Sequence, residues 1–260
     1  MHPASLFIPG FSDYTTPSSG TGGSDPSSIL GSDLVAWYRS EDVTGTTIVS
    51  SWTDRTTNAN NLSSPSGQEP SSSTTLDGYK VIKFDGSKMM FANNSTSLNI
   101  GDGNKNLTLV CVIKVNAMNN LASFVSKDNT TSPTRNQYRL DARSNGSGGY
   151  AYSDGSNWND TTTPSGYFIS GVWHTYELSV VGSTNVVQFY RGATLIAQST
   201  RSSSFSPLSG TGKFYLGYTS PNNSFVNADY LEVLVIKNVL SSSQRSSLGN
   251  YFKARYPSVS

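Results

Sequence analysis

Aromatic rings, amides and carboxylates crowd into one short stretch, Tyr150-Ala151-Tyr152-Ser153-Asp154-Gly155-Ser156-Asn157-Trp158-Asn159-Asp160, with Tyr167 just beyond. Ring faces stack on sugar C–H faces, while amide and carboxylate oxygens hydrogen-bond to hydroxyls. Tyr152, Asn157, Trp158 and Asn159 are therefore the candidate glycan-binding residues. A bland alternative stands beside this one: Tyr150 and Tyr152 alternate in a strand and Trp158 folds over the edge of a sheet. Oxygens of Asp154, Asn157, Asn159 and Asp160 leave calcium open as a ligand, although their spacing matches no defined calcium loop. No other cofactor is expected.

The remaining chemistry-bearing residues are scattered. Glu232 and Glu177 are each the lone acid of a strand pattern, and Glu41-Asp42 are adjacent, so their side chains point apart if extended. His174 starts a strand in which Tyr176, Leu178 and Val180 share its parity, which suits a packed or edge histidine better than a base. Only His2 and His174 are histidines, so no His-rich zinc constellation exists, and the single Cys111 excludes a thiolate cluster. Cys111 lies in the apolar run 107–115, where it packs as a small hydrophobe. No glycine loop that cradles phosphate precedes a helix. The expectation is a chain with no catalytic residues and no enzyme activity.

Positioning falls to β structure. Charged residues are only 13% of the 260, and Ser, Thr, Asn and Gly are plentiful, which suits short strands and turns. Strand patterns read at 34–38, 80–84, 107–115, 122–126, 137–142, 173–181, 186–191, 193–198, 213–218 and 230–237, with Arg191-Gly192 as a hairpin signal. Loops are expected at 64–78, 143–149 and 153–166. Asp54 is placed to bind backbone amides of the turn Asn58-Ala59-Asn60-Asn61, with the Trp52 indole in the core. The last strand leads into one helix, 241–256: Ser241 with Gln244 forms a capping box, Leu248, Tyr251, Phe252 and Tyr256 recur at helical spacing, and Pro257 ends it. The fold class is all-β: a two-sheet antiparallel jelly-roll sandwich with one short C-terminal helix and an extended N-terminal arm.

That arm, residues 1–30, carries an apolar tip of Leu6, Phe7, Ile8 and Phe11 followed by a Thr/Ser/Gly/Pro-rich linker, and residues 31–260 form the domain. The tip reads either as a loose terminus or as an anchor that inserts into a partner. Its start lacks the basic and continuous apolar regions of a signal peptide, so synthesis in the cytoplasm without a leader is expected. A formal net charge of +1 gives no electrostatic footprint for nucleic acid or an anionic membrane.

The ordered set Leu34-Val35-Ala36-Trp37-Tyr38, Ser51-Trp52-Thr53-Asp54-Arg55, Val81-Ile82-Lys83-Phe84-Asp85-Gly86, Trp173-His174-Thr175-Tyr176, Val187-Gln188-Phe189-Tyr190, Phe214-Tyr215-Leu216-Gly217 and the terminal strand and helix resembles laminin-G-like, concanavalin A-like jelly-roll domains. Such domains occur in secreted proteins and in bacteriophage structural proteins. The resemblance spans about residues 33–257 and implies fold more than function, because this fold hosts lectins, adhesion modules, glycosidases and structural domains. Some relatives bind calcium. Laminarinase-type relatives carry a Glu-x-Asp cluster on one strand, which this sequence lacks. The expected function is a non-enzymatic virion accessory protein, a capsid decoration or tail surface protein held to a capsid or tail protein by its arm. Trimers are an expected arrangement, since many viral surface proteins sit on threefold sites. The alternative is a carbohydrate-binding adhesin for surface polysaccharide, and the third class is a glycoside hydrolase.

Overall fold

Alternation of apolar and polar residues decides where two sheets meet. The computed structural model describes residues 24–100, 106–119, 121–128, 136–153, 158–201, 212–220 and 222–260, with 136, 152, 153, 158 and 159 described by their backbone only. Within these residues all ten expected strands form, each within a few residues of its expected bounds. One antiparallel sheet of eight strands is centred on Leu107–Ala117 and Asn227–Ile236, which pair with each other. These two strands are apolar on both sides because the sheet is covered on both faces. The second sheet, of nine strands, has Ala122–Asp128, Asn136–Ala142 and Phe214–Leu216 near its middle. Facing side chains from the two sheets, among them Trp52, Phe84, Tyr138, Leu140, Tyr176 and Phe214, make one continuous core. The result is the expected jelly-roll type of sandwich.

Expected loops hide further strands. Ser71–Leu76 forms inside 64–78, and Gly148–Ser153 and Trp158–Thr162 form where 143–149 and 153–166 were expected to loop. The first is a Ser/Thr-rich edge strand exposed along much of its length, and its polar run carries no alternation to read. The last two pair with one another and extend the second sheet to its far edge.

Helix Ser242–Arg255 forms with both hydrogen bonds of the capping box: Gln244 N donates to Ser241 Oγ at 3.2 Å, and Ser241 N donates to Gln244 Oε1 at 3.0 Å. It lays Leu248, Tyr251 and Phe252 against Trp37, Val110 and Leu234, on the outer face of the eight-stranded sheet. A second helix, Pro26–Leu30, was not expected. Asp25 caps it by accepting from Ser28 N at 2.9 Å, and Leu30 joins the same cluster under the C-terminal helix. The linker expected through residue 30 is thus ordered structure from Ser24 on. Leu6, Phe7, Ile8 and Phe11 lie outside the described residues. No helix among the described residues is long and apolar enough to cross a membrane.

Several local expectations hold. Asp54 Oδ1 accepts from Trp37 N and Thr56 N, both at 3.0 Å, and its Oδ2 accepts from Asn60 N at 2.9 Å, while Trp52 is fully buried. Cys111 is buried in the core, and burial pushes its thiol well above the usual range. His174 is half-buried near the start of an interior strand, paired with Ile113 and with Nδ1 at 3.1 Å from Ser260 O.

Candidate functional site

The C-terminal helix packs on the outer face of the eight-stranded sheet, and the outer face of the nine-stranded sheet carries its own set of side chains. Strand register builds a row across it. Phe91 pairs with Tyr215, Tyr215 with Ser126, Ser126 with Arg139, Arg139 with Ala151, and Ala151 with Asp160. Neighbours along each strand point the other way, so Phe214, Leu216, Leu140 and Tyr150 enter the core while the row lies on the opposite side, where Ser126, Arg139 and Ala151 are buried and Phe91, Tyr215 and Asp160 keep exposure. At about 4.8 Å per strand, five steps from Phe91 to Asp160 span roughly 24 Å, the length of several sugar units.

One end of the row is aromatic. Tyr215 lies between Phe91, at 6.3 Å between ring centroids, and Tyr218, at 5.2 Å, and Tyr218 packs on Phe225 at 4.7 Å. All four rings are half-buried. The Tyr218 hydroxyl donates to Asn223 Oδ1 at 3.3 Å, and the Lys213 ammonium sits 3.7 Å from the Phe91 centroid. Burial, with the charge of Asp128 nearby, pushes the Tyr215 hydroxyl up to about 12.

The other end is ionic. Arg139 Nε is 2.6 Å from Asp141 Oδ2, Arg143 Nε is 3.4 Å from Asp141 Oδ1, and Arg143 also pairs with Asp160. Arg139 and Asp141 are buried, while the side chain of Asp160 keeps 32% of its exposure. Gly149 makes this layer possible, because a Cβ there would overlap Asp141 Oδ1 and crowd the Arg143 guanidinium. Between the two ends, Asp128 Oδ2 accepts from Ser220 N at 2.7 Å. Burial pushes Asp128 up to about 7 and Asp141 up to about 6, with neighbouring guanidinium groups lowering both in part.

The sequence-based site is only partly brought together. Backbone register pairs Tyr152 with Asn159 and Ser153 with Trp158, so Trp158 falls in the alternate row with Asp160, and Tyr152 and Asn159 fall in the other. Asn157 and Asp154 lie outside the described residues. Tyr150 and Tyr167 are fully buried in the core and present no face to a ligand. Asp160 is committed to Arg143, and no cluster of metal-ligating side chains occurs among the described residues. Sequence reasoning missed Phe91, Tyr215, Tyr218 and the Asp128–Arg139–Asp141 layer. The available signal was the outward residue in Met90-Phe91-Ala92 and Phe214-Tyr215-Leu216, an aromatic ring flanked by two core residues.

The strand acids that lacked a companion in sequence hold the helix. Glu232, fully buried, accepts from Trp37 Nε1 at 2.5 Å, Tyr251 OH at 3.1 Å and Tyr256 OH at 2.8 Å. Its burial pushes it up to about 7 despite these donors. Glu177 takes two donors from Arg245, at 2.8 and 2.7 Å, and Glu41 pairs with Arg255. A cavity of about 380 Å³ remains between helix and sheet, lined by Val110, Glu177, Arg245, Gly249 and Phe252. Its acid and guanidinium pair with each other, and Thr175, Ser246, Asn250 and Lys253 add polar groups to the lining.

No protein-family model matches the chain, and no curated protein matches it. Solved structures do. The binding domain of Paraclostridial mosquitocidal protein 1 aligns over 85% of this chain and 52% of its own, with TM-score 0.59 and 16% identity. The Ruminococcus gnavus IT-sialidase CBM40 bound to α2,3-sialyllactose aligns over 65% of this chain and 96% of its own, with TM-score 0.53 and 16% identity. Trypanosoma rangeli sialidase in complex with sialic acid aligns over 85% of this chain and 33% of its own, with TM-score 0.58 and 13% identity. The chain thus spans about half of the first and a third of the last. At such identities the likeness is one of fold: this chain has the jelly-roll sandwich seen in sialidase-associated and carbohydrate-binding domains.

Proposed function

We propose that the protein is a carbohydrate-binding module that takes a glycan at the aromatic end of the outer face of its nine-stranded sheet. The observation that carries this reading is the cluster of half-buried rings Phe91, Tyr215, Tyr218 and Phe225 at that end. The rings supply stacking surface, and the Tyr218 hydroxyl and the exposed Asn223 amide beside it supply hydrogen-bonding groups. The CBM40 named above is a carbohydrate-binding neighbour, bound to sialyllactose, which supports the same reading at the level of fold.

The module binds without turnover in this reading. Asp141 is buried and engaged by two arginines, which holds it away from the bond-breaking roles of a glycosidase acid or nucleophile. Sugar release that disappears in Asp128→Asn or Asp141→Asn would contradict it. The binding claim is tested by screening the full chain on a glycan array beside Tyr215→Ala/Tyr218→Ala. Reproducible binding lost in that variant supports the claim, and an array without any bound glycan defeats it. The expectation of a virion accessory protein anchored by Leu6, Phe7, Ile8 and Phe11 gains no support from the fold or its neighbours, and its anchor residues lie outside the described residues.

A further inference from the structure

We infer that the cavity between the C-terminal helix and the eight-stranded sheet is a second binding site, one that takes a compact, uncharged and largely apolar molecule. The inference stands apart from the carbohydrate-binding reading above, which concerns the other sheet. The cavity measures about 380 Å³. That is a usual size for a small-molecule site. Since about 150 Å³ of protein interior accommodates benzene, this volume admits a molecule of roughly fifteen heavy atoms.

Burial grades the lining. Val110, Leu248 and Phe252 are buried and form an apolar floor, whereas Ser246, Asn250 and Lys253 are exposed and form a polar rim. The acid on the floor needs no charged partner from a ligand. Glu177 is 3% exposed and accepts from Arg245 at 2.8 and 2.7 Å and from Ser179 Oγ at 2.7 Å. The Arg245 guanidinium in turn lies over the Tyr190 ring, 3.8 Å from its centroid. Acid and guanidinium neutralise each other, so the floor offers apolar contact, and a ligand's polar group is best placed at the rim beside Ser246 and Asn250. Lys253 is exposed enough for its ammonium to stay in water.

Gly249 gives the cavity its depth on the helix side. It stands in mid-helix, where only proline is less favourable than glycine. Neither backbone nor packing requires it. Its φ is not positive, and a Cβ there would meet no neighbouring side chain or strand within 4 Å. Arg245 and Lys253 lie one turn before and one turn after along the same helix edge, so the missing side chain leaves a notch between two long ones. On the sheet side Ala193, in the turn between strands Val186–Arg191 and Thr194–Thr200, is small as well. Larger residues at these two places would fill the space a ligand needs.

Fluorescence titration of the full chain with N-phenyl-1-naphthylamine, an uncharged aromatic probe of suitable size, tests this. Wild type should show a saturable rise at one probe per chain. Gly249→Leu puts a side chain into the notch and should weaken probe binding at least about tenfold. Its unfolding temperature should stay at or above that of wild type, because leucine is the better helix former. Ala193→Leu narrows the cavity from the sheet side, should weaken binding in the same direction, and serves if Gly249→Leu fails to fold. Tyr215→Ala/Tyr218→Ala should leave probe affinity unchanged. Wild type without saturable binding, or full affinity in the folded leucine variants, would overturn the inference. Loss of probe binding in Tyr215→Ala/Tyr218→Ala would place the probe on the aromatic cluster and overturn it too, while the glycan array remains a separate test of the carbohydrate-binding reading.

Discussion

Both outer faces of the sandwich bury carboxylates, yet one face is closed by a helix and the other carries an ionic layer of its own. On the closed face, Glu232 and Glu177 draw most of their donors from the C-terminal helix: Tyr251, Arg245 and, just past its end, Tyr256. On the other face, Asp141 is held by ion pairs with Arg139 on its own strand and with the neighbouring Arg143. A buried acid that takes its hydrogen bonds from a second layer fixes that layer in place. One held by ion pairs within its own sheet ties the residues of that sheet to one another.

The largest effect that probes this contrast comes from the closed face. Glu232→Ala strands the Trp37 indole N–H and the hydroxyls of Tyr251 and Tyr256. Urea denaturation should show a loss of about 3–5 kcal/mol, with glycan binding by the folded fraction unchanged. A loss below about 1 kcal/mol would mean that the helix is held by its apolar stripe alone.

Next is Gly149→Ala in the ionic layer of the other face. The added methyl collides with Asp141 and Arg143, so stability should fall by about 2 kcal/mol and glycan binding should weaken as well. Unchanged values for both would show that the ionic layer has slack.

Acidity separates the faces further. Asp128 and Glu232 are pushed to about 7 and Asp141 to about 6, all above their ordinary values of 3.8 for aspartate and 4.5 for glutamate. Protons held by the folded form are released on unfolding between those limits. The contribution of these groups to stability is therefore full below the ordinary carboxylate range and declines as pH rises toward about 7. Unfolding free energies at several pH values should show Glu232→Gln flattening this decline without touching glycan binding. Asp141→Asn should flatten it and alter binding too. A steeper decline in either variant would reverse the assignment.

The smallest effect expected is from Asp77→Ala. It removes exposed hydrogen bonds to Ser258 N at 2.9 Å and Ser258 Oγ at 2.6 Å. Thermal unfolding should place it within about 1 kcal/mol of wild type, setting the floor against which Glu232→Ala is judged.

Legibility in the sequence follows the range of the interactions. The terminal strand and helix could be read because alternation, capping box and Pro257 are local signals over some thirty residues. The turn around Asp54 could be read for the same reason, its amide donors lying within six residues apart from Trp37 N. The row on the outer face of the nine-stranded sheet could not. Phe91, Ser126, Arg139, Asp160 and Tyr215 are far apart in the chain and meet only through register across several strand pairs. The aromatic-rich stretch at 150–160 drew attention by composition, but alternation sends Tyr150 into the core. The role of Glu232 was hidden likewise: its partners Trp37, Tyr251 and Tyr256 come from elements at opposite ends of the chain.

The account stands most directly on a calorimetric titration of the glycan that binds best on an array, run on three proteins. These are wild type, Tyr215→Ala/Tyr218→Ala in the aromatic cluster, and Lys253→Ala, an exposed helix residue that also lines the helix-side cavity. The account predicts that the double variant loses about ten- to hundredfold in affinity while Lys253→Ala matches wild type. Full affinity in the double variant, with loss in Lys253→Ala, would place the glycan on the helix side and contradict the account.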